Sequence, residues 1–230
     1  MYGLLVVYNN NFSQLSKISL DANKKLYAQR HCYELFERNS WTSHFDRLHA
    51  VLEIFDCHPS LEWLWYTDTD VLITNFKTTI QEKISLTHDF IISTDTNGIN
   101  TGSILFRNSY NCKTLLHEIL NFEQLAQQHW DSEQWAINQL LGFPGTHHPD
   151  YPRGNDLKIP SPYDTIIQIV PQRTLNSYDY NLYPYVPKPA LDKLLTDGSW
   201  QSGDWVVHFP GISESEKIKL CQNWQDKVML

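Results

Sequence analysis

The stretch from Leu61 to Ile73 reads L-E-W-L-W-Y-T-D-T-D-V-L-I, an aromatic and aliphatic run that two carboxylates interrupt. Its first half is typical of a buried strand, and Asp68 and Asp70 follow at the predicted end of that strand. Side chains alternate along an extended chain, so two acids two residues apart can point the same way, toward one divalent ion. A buried strand that delivers two acids to its end also needs something there to neutralise them. The stretch therefore predicts a central strand and a metal site at its end.

Strands and helices alternate on both sides of this stretch. The apolar and periodic segments predict strands at 1–8, 31–36, 90–93 and 103–106, and helices at 14–30, 44–55, 114–129 and 132–141. This alternation predicts an α/β fold with a Rossmann-like, parallel or mixed sheet flanked by helices, in which ligands bind at the carboxyl ends of the strands.

The second half of the chain differs in composition. Residues 142–189 are rich in Pro, Tyr, Asn and Asp, which predicts loops with one short strand at 165–170. A late strand at 205–208 and a closing helix from about Ser213 follow. We expect a single domain over residues 1–230, with a nucleotide-binding half at about 1–110 and a loop-rich half at about 111–230.

Composition excludes several classes of partner. The 230 residues include 41% apolar residues, enough for one full core, and carry a net charge of -8 without a basic block, which argues against nucleic acid. The four cysteines are widely spaced, which indicates free thiols. No run approaches the roughly 18 apolar residues of a membrane helix. We expect a soluble, cytoplasmic protein without a transmembrane segment, and peripheral membrane association is left open.

Further polar residues follow predicted strands. His208 ends the late strand, and an imidazole is a suitable third ligand for manganese beside two carboxylates. Asn100, Thr101 and Gly102 offer short side chains and a flexible backbone suited to sugar hydroxyls. Each feature also has a simpler reading, as a structural histidine or a plain turn, and a lone D-x-D is often a solvated turn.

Asp131, Glu133 and Gln134 begin a predicted helix. Acids at a helix N-terminus also favour the helix dipole, so any one of them has an adequate structural explanation. The combination with the other motifs is what makes them candidates. Six tyrosines of the second half are candidates for an acceptor platform: Tyr151, Tyr163, Tyr178, Tyr180, Tyr183 and Tyr185.

Four motifs in order resemble glycosyltransferase family 34. They are W-L-W-Y-T-D-T-D-V-L-I-T-N, G-I-N-T-G-S-I-L-F-R-N-S, D-S-E-Q-W-A-I-N-Q-L-L and V-V-H-F-P-G, and the earlier N-K-K-L-Y-A-Q-R-H-C-Y-E-L-F is similar to the family's N-terminal pattern. The resemblance covers about residues 1–211. It implies a GT-A fold and a retaining transfer of galactose, glucose or xylose from a UDP-sugar to a glycan or glycolipid, with Mn²⁺ or Mg²⁺ as the cofactor.

The resemblance also implies roles for single residues. The metal ligands would be Asp68, Asp70 and His208. The donor would contact Asn100, Thr101 and Gly102, and we assign Tyr8, at the end of the first strand, to the donor site as well. The catalytic candidates would be Gln134, Glu133 and Asp131.

Two departures from the family pattern stand out. Glu133-Gln134 replaces the Asp-Gln of many members, and its carboxylate reaches one methylene further. Eukaryotic members carry a membrane anchor and stem, whereas this sequence begins at its first strand, so we expect a bacterial or viral enzyme.

The sequence leaves the mechanism and two rival functions open. Retention can arise by front-face attack or by double displacement through Glu133 or Asp131. The rivals are a non-catalytic sugar-binding module, which needs no metal, and a metal-dependent sugar-nucleotide hydrolase, which needs no acceptor. The oligomeric state is not predicted.

Overall fold

A computed structural model gives the fold and describes residues 1–95, 98–129, 132–142, 159–183 and 197–230. The strands are β1 (Tyr2–Val7), β2 (Glu34–Arg38), β3 (Trp63–Thr67), β4 (Val71–Ile73), β5 (Phe90–Asp95), β6 (Gly98–Arg107), β7 (Ile167–Val170) and β8 (Val206–His208). The α-helices are α1 (Ser13–Ser16), α2 (Lys25–His31), α3 (Asp46–Cys57), α4 (Tyr110–Leu120), α5 (Glu123–Ala126), α6 (Ser132–Leu140), α7 (Gln172–Leu175) and α8 (Glu214–Asn223). A π-helical segment, Lys17–Lys24, joins α1 to α2.

The central sheet is mixed, as predicted. Its strand order is β2-β1-β3-β6-β5-β7, with parallel pairs at β1–β2, β1–β3 and β5–β7 and antiparallel pairs where β6 meets β3 and β5. A separate antiparallel pair, β4–β8, lies beside it. The α/β prediction with a mixed sheet is therefore confirmed.

The strand β3 is apolar on both faces because a hydrophobic layer covers each of them. Leu64 and Tyr66 pack into one cluster with α3, α4 and α6, whereas Trp63 and Trp65 pack into a second cluster on the other face. Trp65 stacks on Trp205 with 3.8 Å between ring centroids. A central strand buried on both sides explains the continuous run W-L-W-Y.

The chain leaves the central sheet directly after β3. The backbone N–H of Val71 donates to the carbonyl of Asp68 at 3.2 Å, which closes a tight turn over the two aspartates. The expectation that Asp68 and Asp70 alternate along one extended strand is therefore wrong. The turn redirects the chain into β4, and the two carboxylates converge by a different geometry.

Several predicted boundaries were wrong for local reasons. The second strand begins at Glu34 and not at residue 31, since His31 ends α2 and Cys32 adopts a left-handed conformation with φ of 56°. The predicted helix 114–129 is two helices, α4 and α5, and the Ser109 hydroxyl caps the first by accepting from the Cys112 N–H. Among the described helices, none has the length and apolarity to cross a membrane.

The tyrosines of the second half are mainly structural. Tyr178, Tyr180 and Tyr183 are buried against one another, and Tyr163 packs on the larger core cluster. Tyr151 and Tyr185 lie outside the described residues.

Candidate active site

Three predicted ligands converge at the carboxyl ends of β3 and β8. Candidate ligand atoms of Asp68, Asp70 and His208 all lie within 4.8 Å of one another. Asp70 and His208 are 5% and 2% exposed, and Asp68 is more open. The antiparallel register pairs Val71 with His208, so the pairing of β4 with β8 brings the imidazole beside Asp70.

The orientation of the His208 ring is fixed from behind. Its Nδ1 lies 2.6 Å from Asn176 Oδ1, and Asn176 Nδ2 donates to the hydroxyl of Tyr178 at 3.3 Å. Because the amide oxygen must accept, the ring proton belongs on Nδ1. This leaves Nε2, 3.2 Å from an Asp70 oxygen, turned toward the aspartates, which is the usual arrangement behind a metal-binding histidine.

Lys217 makes the second side-chain contact of Asp70. Its Nζ lies 2.6 Å from the other Asp70 oxygen, and its side chain is largely buried. Burial alone would raise the pKa of Asp70, but His208 and Lys217 outweigh it and hold that pKa below its ordinary value. Asp70 is therefore an ionised carboxylate. One of its oxygens contacts the His208 ring, and the other contacts the Lys217 ammonium.

Arg47, on α3, connects Asp68 to Glu133. Its Nη1 lies 3.3 Å from Asp68 Oδ1 and 3.4 Å from Glu133 Oε1, and it donates to the carbonyl of Thr101 at 3.1 Å. Burial alone would lower the pKa of Arg47, but Asp68 and other acidic neighbours raise it above its ordinary value. The buried guanidinium of Arg47 thus neutralises the carboxylates of Asp68 and Glu133. Asp68 also accepts a hydrogen bond from the Tyr66 hydroxyl.

Glu133 is buried and held in place. Its Oε1 accepts from the Thr101 hydroxyl at 2.7 Å, and its Oε2 lies 3.8 Å from His44 Nδ1. Ser132, immediately before it, has φ of 44°, a left-handed conformation that is uncommon outside glycine. Such backbone strain is often found at functional sites.

The Asn100–Gly102 segment lies beside His208, but the polar atoms of the Asn100 side chain are already hydrogen-bonded within the protein. Asn100 Nδ2 donates to Asp95 and to the Tyr178 hydroxyl, and Asn100 Oδ1 accepts from the N–H of Gly102. A Cβ at Gly102 would lie 2.3 Å from His208 Cε1, so only glycine fits against the ring. These residues shape the site as well as lining it.

These groups line one open cavity of about 240 Å³. Of the predicted site residues, it is lined by Asp68, Asp70, Asn100, Thr101, Gly102, Glu133, Gln134 and His208. Tyr8 does not line the cavity, whereas its neighbour Val7 does. Burial, together with the smaller effect of the nearby Glu37, raises the pKa of the Tyr8 hydroxyl above its ordinary value. Asp131 lies outside the described residues.

Sequence reasoning missed several lining residues, namely Phe12, Trp41, His44, Arg47, Tyr66 and Lys217. Arg47 lies near the start of the predicted helix 44–55. Its charge among the apolar residues of that helix is the one feature of the sequence that could have marked it as a site residue. Lys217 lies in an ordinary polar helix, and no sequence pattern marks it. Both charges become meaningful only when the fold brings them to the aspartates.

The donor set suits a divalent ion. Two carboxylates and one imidazole at short mutual distance match manganese, whereas magnesium favours oxygen ligands alone. The partly exposed Asp68 lies beside the buried Asp70, so a bound cation would relieve the repulsion between the two carboxylates. Phe12 and Trp41 also line the cavity, with 5.5 Å between their ring centroids, and give it an aromatic side.

Comparisons with known proteins agree with this architecture. A probable alpha-1,2-galactosyltransferase gmh1 of Schizosaccharomyces pombe is 24% identical in an alignment of 220 positions that covers 80% of this chain and 58% of that protein. A probable alpha-1,6-mannosyltransferase MNN10 of Saccharomyces cerevisiae is 26% identical in an alignment of 179 positions that covers 60% of this chain and 45% of that protein. The chain spans about half the length of these yeast relatives, which do not support the expected bacterial or viral origin.

Solved structures show the same fold. A glycosyltransferase involved in the glycosylation of the major capsid of PBCV-1 superposes with a TM-score of 0.65 at 16% identity, covering 96% of this chain and 99% of that chain. The galactosyltransferase LgtC, in complex with donor and acceptor sugar analogs, gives 0.51 at 14% identity, covering 99% and 100%. The fold is that of GT-A glycosyltransferases.

The family assignment rests on nearly the whole length of the chain. The sequence model of one family matches residues 6–89 and 82–219, a span that contains the aspartate turn, the Asn100–Gly102 segment and His208. The chain belongs to the galactosyl transferase GMA12/MNN10 family.

Proposed function

We propose that this protein is a manganese-dependent retaining glycosyltransferase that moves galactose, or a similar sugar, from a UDP-sugar to a glycan. The observation that carries the proposal is the convergence of Asp68, Asp70 and His208 in an open cavity. Family membership and the names of the yeast relatives support galactose as the sugar and a glycan as the acceptor.

In this proposal the donor lies across the cavity. Asp68, Asp70 and His208 would hold manganese, which when bound would stabilise the negative charge that develops on the diphosphate leaving group. The aromatic side formed by Phe12 and Trp41 suits the uracil ring.

Lys217 supplies the second positive charge. In the structure its Nζ binds an Asp70 oxygen, and a side chain of this length can turn from that carboxylate to a diphosphate oxygen in the same cavity. The leaving group would then meet a lysine ammonium on one side, while Asp70 is released to act as a metal ligand.

The contacts of Glu133 favour front-face attack over double displacement. Its Oε1 already accepts from Thr101 and lies beside the Arg47 guanidinium. A carboxylate neutralised in this way is a weak nucleophile, but it is a fixed acceptor for a hydroxyl of the transferred sugar. We therefore assign Glu133 and Gln134 to sugar positioning, and the departing phosphate oxygen accepts the acceptor proton.

The proposal is tested by product analysis. The protein is incubated with UDP-galactose, UDP-glucose or UDP-xylose and a mannose- or galactose-terminated oligosaccharide, with manganese or with EDTA, and the products are read by NMR. We expect an α-linked sugar on the acceptor that requires manganese and is lost in Asp70→Asn. The matched control is Asp56→Asn, which removes an exposed carboxylate paired with Lys113.

Other outcomes would replace the proposal. Equal sugar release with and without acceptor indicates a hydrolase, and metal-independent sugar binding without turnover indicates a binding module. A β-linked product contradicts retention.

A further inference from the structure

The segment Lys17–Lys24 is wound as a π-helix between two α-helical pieces. The N–H of Lys25 donates to the carbonyl of Leu20, five residues earlier. Short π segments inside α-helices often mark functional positions. Three polar side chains of this segment, Ser19, Asn23 and Lys24, are completely buried.

All three side chains bind the backbone that carries the aspartates. Ser19 Oγ donates to the carbonyl of Thr69, the residue between Asp68 and Asp70. Lys24 Nζ donates to the carbonyl of Val71 at 2.5 Å and to Ser19 Oγ at 2.7 Å.

Asn23 completes this row of contacts. Its Nδ2 donates to the carbonyl of Ile73 at 2.8 Å, and its Oδ1 accepts from the N–H of Ile73 at 2.9 Å. The three side chains thus contact residues 69, 71 and 73, which are every second residue along the aspartate turn (residues 68–71) and β4.

The π winding explains how one segment reaches all three positions. In an α-helix, residues five apart point about 140° away from each other. Lys24 would then turn away from Ser19, whereas the observed Nζ–Oγ contact requires both on one side. A wider turn provides this arrangement.

The strand β4 needs these partners. It has three residues, pairs only with β8 among the described strands, and its residues Val71, Leu72 and Ile73 are fully buried. Buried backbone groups must be hydrogen-bonded, and a two-stranded pair this short has little stability of its own. The π segment therefore takes the place of a neighbouring strand along the outer edge of β4.

We infer that Ser19, Asn23 and Lys24 are positioning residues of the metal site, which set the aspartate turn and β4 at the distance from β8 that lets Asp70 and His208 share one ion. This inference rests on the proposed function, because it assigns a role in metal binding. The segment holds the backbone next to the proposed metal ligands. In other metal sites, loss of a residue that orients a ligand from outside weakens metal binding about 10- to 100-fold.

The chain offers a matched pair of substitutions for the test. Ser19→Ala removes the contact with the aspartate turn. Ser16→Ala, in the preceding helical turn, removes a hydroxyl that is also buried, with 3% of the residue exposed, and that donates to the local backbone, to the carbonyl of Phe12 at 2.6 Å. Both variants lose one buried hydroxyl, so the effect of that loss on packing should be similar in the two. Ser19→Ala also removes one acceptor of Lys24 Nζ, which keeps its contact with the carbonyl of Val71.

The affinity for Mn²⁺ alone is measured by electron paramagnetic resonance of the free ion, without nucleotide, and folding is checked by circular dichroism. We expect Ser19→Ala to bind Mn²⁺ at least tenfold more weakly than the wild type, and Ser16→Ala to remain within twofold. Equal affinity of Ser19→Ala and the wild type would overturn the inference while leaving the proposed function intact. Absence of Mn²⁺ binding by the wild type both without and with UDP would overturn both.

Discussion

Gly102→Ala tests the contact between the Asn100–Gly102 segment and His208, the proposed metal ligand. The new methyl group would lie 2.3 Å from His208 Cε1 and 2.9 Å from Nδ1, whereas ordinary van der Waals contact begins at 3.4 Å. Gly102 lies within β6, so the backbone itself accepts alanine. The ring or the strand must therefore move by about 1 Å, and overpacking of this kind costs roughly 1–3 kcal/mol of unfolding free energy.

The same shift should harm function more than stability. His208 would lose its position relative to Asp70, and a misplacement of about 1 Å in a catalytic arrangement costs on the order of 100-fold in rate. We expect a comparable loss in affinity for Mn²⁺, measured by calorimetric titration, with the fold retained.

A double-mutant cycle with His208→Ala isolates the cause. Without the imidazole, the nearest remaining atom to the methyl is Asn100 Oδ1 at 3.1 Å. Gly102→Ala should then cost less than about 1 kcal/mol in urea denaturation. An unchanged cost in the His208→Ala background would refute the contact as the cause, and wild-type Mn²⁺ affinity in Gly102→Ala would refute the role of ring position.

Three further substitutions probe the charges around the site. Arg47→Met leaves the buried Glu133 and the partly exposed Asp68 without their guanidinium. We expect a loss of about 3–5 kcal/mol in urea denaturation, chiefly from Glu133; a loss under 1 kcal/mol would contradict this pairing. Lys217→Met removes the ammonium that competes with the metal for Asp70, so the affinity for Mn²⁺ alone should rise about tenfold, about 1.4 kcal/mol. The affinity for Mn²⁺–UDP should fall, because the diphosphate loses the same ammonium. Calorimetry that shows both affinities falling would contradict the proposed movement of Lys217 from Asp70 to the diphosphate. Burial lowers the pKa of Lys24 from 10.5 to about 8, against the opposing effects of Cys221 and the two aspartates. The unfolded chain then binds more protons between these values, so the unfolding free energy of the wild type, relative to Lys24→Met, should rise by roughly 2–3 kcal/mol from pH 8 to pH 10; a flat or falling difference would contradict the sign.

The sequence was sufficient to predict the central strands and to single out Asp68, Asp70 and His208, which the fold brings together, because both depend on strong local patterns. The run before Asp68 is apolar on both faces, and His208 directly follows two buried valines. The neighbourhood itself comes from strand pairing: β4, which follows the aspartates, pairs with β8 and brings His208 beside Asp70, and the antiparallel β6 brings Asn100–Gly102 to the end of β3.

The remaining site residues depend on contacts between distant parts of the chain. Arg47 reaches the aspartates from a helix, and Lys217 reaches Asp70 from the last helix of the chain. Tyr8 was placed in the donor site from its position after β1, but Val7 is the residue that lines the cavity. Register and side-chain direction at a strand end are set by tertiary packing, which a single sequence does not specify.

The fold was misjudged where a short segment changes its hydrogen-bonding pattern. The aspartate turn ends the central strand although the apolar pattern continues through Val71, because β4 pairs with β8 outside the main sheet. The π winding of Lys17–Lys24 is equally invisible in the periodicity, since its cause is the set of contacts that its buried polar side chains make with β4.

The central claim is that Asp70 is part of a metal-dependent UDP site. The most direct measurement is calorimetric titration of UDP, with Mn²⁺ and with EDTA, into the wild type, Asp70→Asn and the surface control Asp56→Asn. We predict binding that requires Mn²⁺ in the wild type and in Asp56→Asn, and that is lost in Asp70→Asn. Equal UDP binding by Asp70→Asn, or binding that is unaffected by EDTA, would contradict the claim.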